Sequence, residues 1–104
     1  MSLKEIQEDT DRHTSQYTPQ YWQPHEILAR LMEETGELAR EINHIYGPKK
    51  KKSTEETKEM GIEMADIMFT LCCLANSQGI DLDKAWQEML EKYRERDSKR
   101  FARV

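Results

Sequence analysis

Two short stretches of this chain put carboxylates where a helix would otherwise carry only packing residues. In LMEETGEL, residues 31–38, Glu34 and Glu37 stand three apart, and in EMADIMF, residues 63–69, Glu63 and Asp66 repeat that spacing. Spacing alone selects neither stretch, because 20 acidic residues produce six such pairs, at 5/8, 8/11, 34/37, 56/59, 63/66 and 88/91. The neighbours separate them. A helical residue touches those three and four positions away. Glu34 is flanked by Leu31 and Leu38, Glu63 by Met60 and Ile67, and Asp66 by Ile62 and Phe69. The pairs 5/8, 8/11 and 88/91 lie mostly among polar residues, and 56/59 is intermediate.

Ionised carboxylates in an apolar setting are costly unless compensated, and several together also repel. Arg or Lys can neutralise them, or a divalent cation can. Cations near these positions are few: Arg30, Arg40 and Lys58. An oxygen-only ligand set suits Mg²⁺ or Mn²⁺ rather than zinc, and sites of this kind usually retain waters and bind phosphates. The plainer alternative is a solvated edge on a two-helix stripe.

The elements that must position these groups follow from periodicity. Residues 2 to about 14 read as a short, peripheral helix. TSQYTPQYWQP, with Pro19 and Pro24, reads as an irregular connection with anchored rings. A second helix over 24–46 starts at Pro24, carries Ile27, Leu28, Leu31, Leu38, Ile42 and Ile45, and stops at Gly47-Pro48. KKKK at 49–52 opens a charged loop, and Ser53 or Thr54 offers an N-cap. A third helix over 54–78 presents Met60, Met64, Ile67, Met68, Leu71, Leu74 and Ala75, and Gly79 ends it. Asp81 caps a fourth helix, in which Trp86 reads as core, and the basic tail from Arg94 should fray. Both acidic pairs thus fall on two long helices expected to pack antiparallel.

The whole chain fits one all-α domain, residues 1–104. It has 104 residues, four glycines and three prolines, and strong helix formers dominate. So short a chain builds a marginal core, so an antiparallel bundle of four to five helices completed by oligomerisation is expected. A net charge of −4 and 35% charged residues, with no broad cationic face, argue against nucleic acid as a partner. Mean hydropathy is −0.94, and no apolar run approaches the roughly 18 residues of a membrane span, so no membrane partner is expected. Cys72 and Cys73 are adjacent and read as buried free thiols of a reducing compartment, and no signal-peptide pattern opens the chain; the expected location is cytoplasmic.

The order Glu34-x-x-Glu37, a 25-residue spacer, then Glu63-x-x-Asp66 resembles the signature of MazG-like nucleotide pyrophosphohydrolases, in the all-α NTP pyrophosphatase superfamily. The flanks agree: a Pro before an apolar helix running into EETGEL, the apolar run IMFTLCCLA after Asp66, an I-D-L turn, and a last helix ending in R-x-x-R-F. The likeness spans about residues 20–101 and is greatest to the short stand-alone members of the YpjD type. It implies hydrolysis of a nucleoside triphosphate between the α and β phosphates, giving a monophosphate and pyrophosphate, in a nucleotide-pool house-cleaning role. Carried over, Glu34, Glu37, Glu63 and Asp66 would coordinate Mg²⁺, with Mn²⁺ a possible substitute. Glu37 or Glu33 would orient or deprotonate the attacking water. Lys92 and Arg96, then Arg100, are the candidate phosphate cations, and Trp22, His44 and Tyr46 the candidate base-stacking rings. A homodimer or homotetramer is implied.

Two other readings compete. Glu41-x-x-His44 is one half of the paired motif that a di-iron carboxylate bundle needs. A small acidic helical module serving only dimerisation or regulation would leave the carboxylates merely solvated. Ser/His/Asp catalysis and Gly-rich phosphate loops have no support.

Overall fold

The computed structural model describes residues 1–47 and 57–102, and its elements run α1 (Leu3–Thr14), α2 (Pro24–Tyr46), α3 (Thr57–Gln78) and α4 (Leu82–Arg100). The KKKK run and the expected cap at Ser53 or Thr54 lie outside the described residues. Each start has a local cause. Ser2 Oγ accepts from the Glu5 amide at 3.1 Å, and the Glu5 carboxylate accepts from the Ser2 amide at 3.4 Å, closing a capping box on α1. Pro24 occupies the first turn of α2, where it forfeits no intrahelical bond. Asp81 Oδ1 accepts from the amides of Asp83 and Lys84 and starts α4. Gly79 ends α3 with φ +67°, a left-handed conformation that favours glycine.

α3 is the central element. α2 packs along one side of it and α1 along another. Both crossings are antiparallel. Glu34 faces Asp66 while Glu37 faces Glu63. Likewise Gln7 meets Asn76 and His13 meets Phe69. α1 and α2 therefore run the same way, on two sides of α3. The fully buried apolar residues are few: Ile27, Cys72 and Ala75. Among the described residues no helix is long and apolar enough to cross a membrane.

α4 departs from the sequence expectation in two respects. It continues to Arg100 instead of fraying from Arg94; strong helix formers fill it, and Lys99 and Arg100 in its last turn oppose the helix dipole. It also buries no residue, so Trp86 is 49% exposed and not core. Met64 and Met68 on α3, expected in the core, are likewise about half exposed. The reason is geometric. α3 has two faces covered by α1 and α2, and its remaining apolar face is left exposed by the described residues.

Candidate active site

The antiparallel register of α2 against α3 fixes the centre. Because Glu34 and Glu37 are one turn apart, as are Glu63 and Asp66, opposing directions bring the two pairs face to face across the helix seam. One carboxylate oxygen from each of Glu34, Glu37 and Glu63 lies within 4.8 Å of the others. Asp66 falls outside that trio, but its carboxyl group stands close enough to Glu34, as Glu37's does to Glu63, to raise the partner's pKa. Carboxylates so close repel unless a proton or a cation compensates them.

Electrostatics follow from that crowding. Burial, opposed by Arg30 and reinforced by Glu37 and Asp66, raises the pKa of Glu34. Burial, the contact with Glu37, and the charges of Glu37, Asp66 and Glu34 all raise that of Glu63. Glu34 is 3% exposed. Its Oε1 accepts from Arg30 Nε at 2.9 Å, whereas its Oε2 and Glu63 Oε2 are buried without a hydrogen-bond partner. Buried carboxylate oxygens left unsatisfied beside further carboxylates fit a hard divalent cation, whose preferred ligands are oxygens. One arginine on one glutamate does not neutralise four acids.

Beside the cluster lies a cavity of about 350 Å³. Its walls come from four segments: His13 at the end of α1, Tyr17, Tyr21 and Trp22 from the connection, Ile27 and Arg30 from α2, and Phe69 from α3. His13 stacks edge-on to Phe69 with ring centroids 5.9 Å apart and tilts against Tyr17 at 5.6 Å. Asp66 and Arg30 line the same cavity, so it opens directly onto the acidic cluster. Phe69 sits one turn beyond Asp66, which ties the two halves to one stretch of α3.

The remaining predicted site residues are placed as follows. Trp22 lines the cavity. Glu33 is exposed and outside the trio of converging oxygens. His44 lies ten positions along α2 from Glu34, about 15 Å at helical rise, and does not line the cavity; Tyr46 is 69% exposed. Lys92 and Arg96 are exposed on α4, away from the cluster, and Arg96 pairs with Asp97 at 2.9 Å and covers the Tyr93 ring. Sequence reasoning thus missed His13, Tyr17, Tyr21 and Phe69 as cavity walls, whereas Arg30, one of the three nearby cations it named, is found paired with Glu34. The available signal was the ring density of TSQYTPQYW immediately before the acidic helix.

Comparison with known proteins agrees with this arrangement. Residues 22–101 match the MazG nucleotide pyrophosphohydrolase domain. The chain is 46% identical over 102 residues to the uncharacterised protein YpjD of Bacillus subtilis (strain 168), covering 98% of this chain and 92% of that one. It is similar to the crystal structure of Bacillus subtilis YpjD, with a TM-score of 0.83 at 46% identity over 89% of this chain and 95% of that one. It is also similar to a Bacillus-conserved MazG protein described as a nucleotide pyrophosphohydrolase, with a TM-score of 0.78 at 38% identity over 89% and 90% of the two chains. With its paired carboxylates on antiparallel helices and the match over most of its length, the chain belongs to the MazG nucleotide pyrophosphohydrolase family.

Proposed function

We propose that this protein is a Mg²⁺-dependent nucleoside triphosphate pyrophosphohydrolase, cutting between the α and β phosphates to release a monophosphate and pyrophosphate, in a house-cleaning role. The observation that carries this reading is the convergence of Glu34, Glu37 and Glu63 oxygens, with Asp66 against Glu34 and two buried oxygens unsatisfied. These four residues would hold the metal. When bound, Mg²⁺ supplies Lewis-acid polarisation of phosphate oxygens and offsets charge developing on them.

The chain's own groups divide the remaining work. Glu37 lies within the cluster and orients the attacking water, a role for which Glu33, outside the trio of converging oxygens, is less well placed. The aromatic cavity takes the nucleoside, with Trp22, Tyr17 and Phe69 offering ring faces and His13 a hydrogen-bonding edge. Its opening beside Asp66 sets the phosphate chain toward the carboxylates. Lys92 and Arg96 retain a phosphate-binding role only across an interface, from the α4 of a neighbouring copy in a homodimer or homotetramer. Mn²⁺ substitutes for Mg²⁺, and neither nucleic acid nor membrane is a partner.

The test is a panel of NTPs and dNTPs with Mg²⁺, scored separately for pyrophosphate and orthophosphate. Pyrophosphate release that EDTA abolishes is the expected result. Orthophosphate release would place the cleavage at another bond. In parallel, Mg²⁺ should raise the melting temperature by mass action, and Glu34→Gln or Asp66→Asn should remove that rise with helicity kept. A mutant that retains the full Mg²⁺ shift would defeat the ligand assignment.

A further inference from the structure

Arg30 stands at the seam between the acidic cluster and the aromatic cavity. Its Nε donates to Glu34 Oε1 at 2.9 Å, one turn along α2, while the same side chain lines the cavity beside Asp66. The pair is unequal: the Arg30 side chain is 51% exposed and that of Glu34 3%. Among the described residues Arg30 is also the one Arg or Lys that lines the cavity.

A metal at this cluster needs Glu34, whose Oε2 lacks a partner while Arg30 holds Oε1, so metal and guanidinium would stand as two repelling cations on one carboxylate. A dication concentrates more charge on that carboxylate than a delocalised guanidinium does. The half-exposed arginine regains water when the pair breaks, and the metal takes over compensation of the buried Glu34 carboxylate. Its side chain already borders the cavity, so a guanidinium released from Glu34 has a place to go. There it presents a planar fork of donors that matches the oxygens of a phosphate.

We propose that Arg30 is an exchangeable cation: it holds Glu34 while the metal is absent, yields that carboxylate to the metal, and then turns to a phosphate oxygen of the incoming polyphosphate. This inference rests on the function proposed above and adds a residue to it. Removing Arg30 should therefore act in opposite directions on the two ligands, and Arg30→Lys, which keeps the charge without the fork, separates a moving guanidinium from the loss of a positive charge alone.

The experiment measures Mn²⁺ binding alone by electron paramagnetic resonance of the free ion. Inorganic tripolyphosphate binding in saturating Mg²⁺ is then measured by calorimetry, with circular dichroism as the check on folding. Arg30→Gln should bind Mn²⁺ roughly two- to fivefold more tightly, because a competitor is gone. It should bind tripolyphosphate roughly tenfold more weakly, because a charge-assisted contact is lost. Arg30→Lys should return Mn²⁺ affinity toward wild type yet recover only part of the tripolyphosphate affinity, since a point charge lacks the fork. Unchanged tripolyphosphate affinity in Arg30→Gln would leave Arg30 a plain partner of Glu34 and overturn the proposal. Unchanged or weaker Mn²⁺ binding would overturn it from the other side. If the wild-type protein binds no Mn²⁺, the metal reading fails and this inference falls with it; if it binds Mn²⁺ and only the Arg30 effects are missing, the metal reading stands alone.

Discussion

Glu63 faces Glu37, Glu34 and Asp66 across the helix seam, and no cation among the described residues offsets it; the Arg30 guanidinium is spent on Glu34. Its carboxyl group therefore holds its proton to higher pH than a free glutamate, through burial first and the surrounding acids second. A carboxyl whose pKa is raised by folding contributes stability that is fully present below its unfolded pKa, about 4.3, and is lost as pH climbs through the folded value. Metal-free protein should accordingly gain stability when Glu63 becomes Gln, and the gain should be largest at neutral pH and above. It should shrink as pH falls toward the ordinary carboxyl range, where the wild-type side chain takes up its proton. Saturating Mg²⁺ should reverse the order, because an amide is the poorer ligand for a hard cation. Thermal melts of the two proteins in EDTA between pH 4.5 and 8 decide this, and a stability difference that stays flat across the range would count against crowding as its cause. These carboxylates were legible in the sequence because helical spacing and apolar flanks are local properties. The cavity rings were not, since His13, Tyr17, Trp22 and Phe69 meet only through the packing of α1 on α3.

Elements, too, divide by how local their causes are. The bounds of α1 and α2 could be read from Ser2, Pro24 and Gly47, and the end of α3 from Gly79, because caps and stops act within one turn. Where α1 docks could not, because a hydrogen-bond network between distant residues sets it. Asn76 Nδ2 donates to the Gln7 carbonyl at 2.9 Å and to the Tyr21 hydroxyl at 3.0 Å, while Gln7 Nε2 donates back to Asn76 Oδ1 at 2.9 Å. Gln7 also receives the Leu82 amide at 3.0 Å, and the Tyr21 hydroxyl donates to Asp11 at 2.7 Å. Asp83, in the first turn of α4, accepts from the free amides of Leu3 and Lys4 that open α1. One side chain on α3 thus holds α1, and with it the Tyr21–Trp22 wall of the cavity. Replacing Asn76 with Ala removes three hydrogen bonds at once, although Gln7 Nε2 keeps the Ile80 carbonyl at 2.8 Å. The expected cost is about 2 kcal/mol, and that of Tyr21→Phe about 1 kcal/mol, both read from urea unfolding midpoints. A cost for Asn76→Ala no larger than that of a surface substitution would show that the network is replaced by water without loss. Trp22 emission should respond to both variants through the moved wall, whereas the Mg²⁺ shift of the melting temperature should not, because Asn76 lies well beyond Asp66 along α3.

Taken whole, the chain spreads more surface than its mass requires. It exposes 8340 Å², against about 6,100 Å² for a compact monomer of 12.4 kDa. Its radius of gyration is 17.1 Å, where about 13 Å is usual at this length. The excess area is roughly 2,200 Å² per chain, or about 4,400 Å² for two copies, on the scale of an obligate homodimer interface counted over both partners. Apolar side chains mark where: Met64, Met68 and Leu71 repeat at helical spacing on the uncovered face of α3, and Trp86 and Tyr93 stand exposed on an α4 that buries nothing. A face of this kind needs a second copy more than a larger core, since α1 and α2 already occupy the other sides of α3. Sedimentation equilibrium at micromolar concentration should therefore find a dimer or tetramer, and the melting temperature should rise with protein concentration. Met68→Glu combined with Leu71→Glu places charge in that interface and should yield a monomer of much lower melting temperature. In a protein that is monomeric to begin with, the same two side chains already face water, and exchanging them for glutamate would be close to neutral. A monomeric wild type with an unshifted double variant would thus remove the oligomer, and with it the route by which Lys92 and Arg96 could reach any acidic cluster.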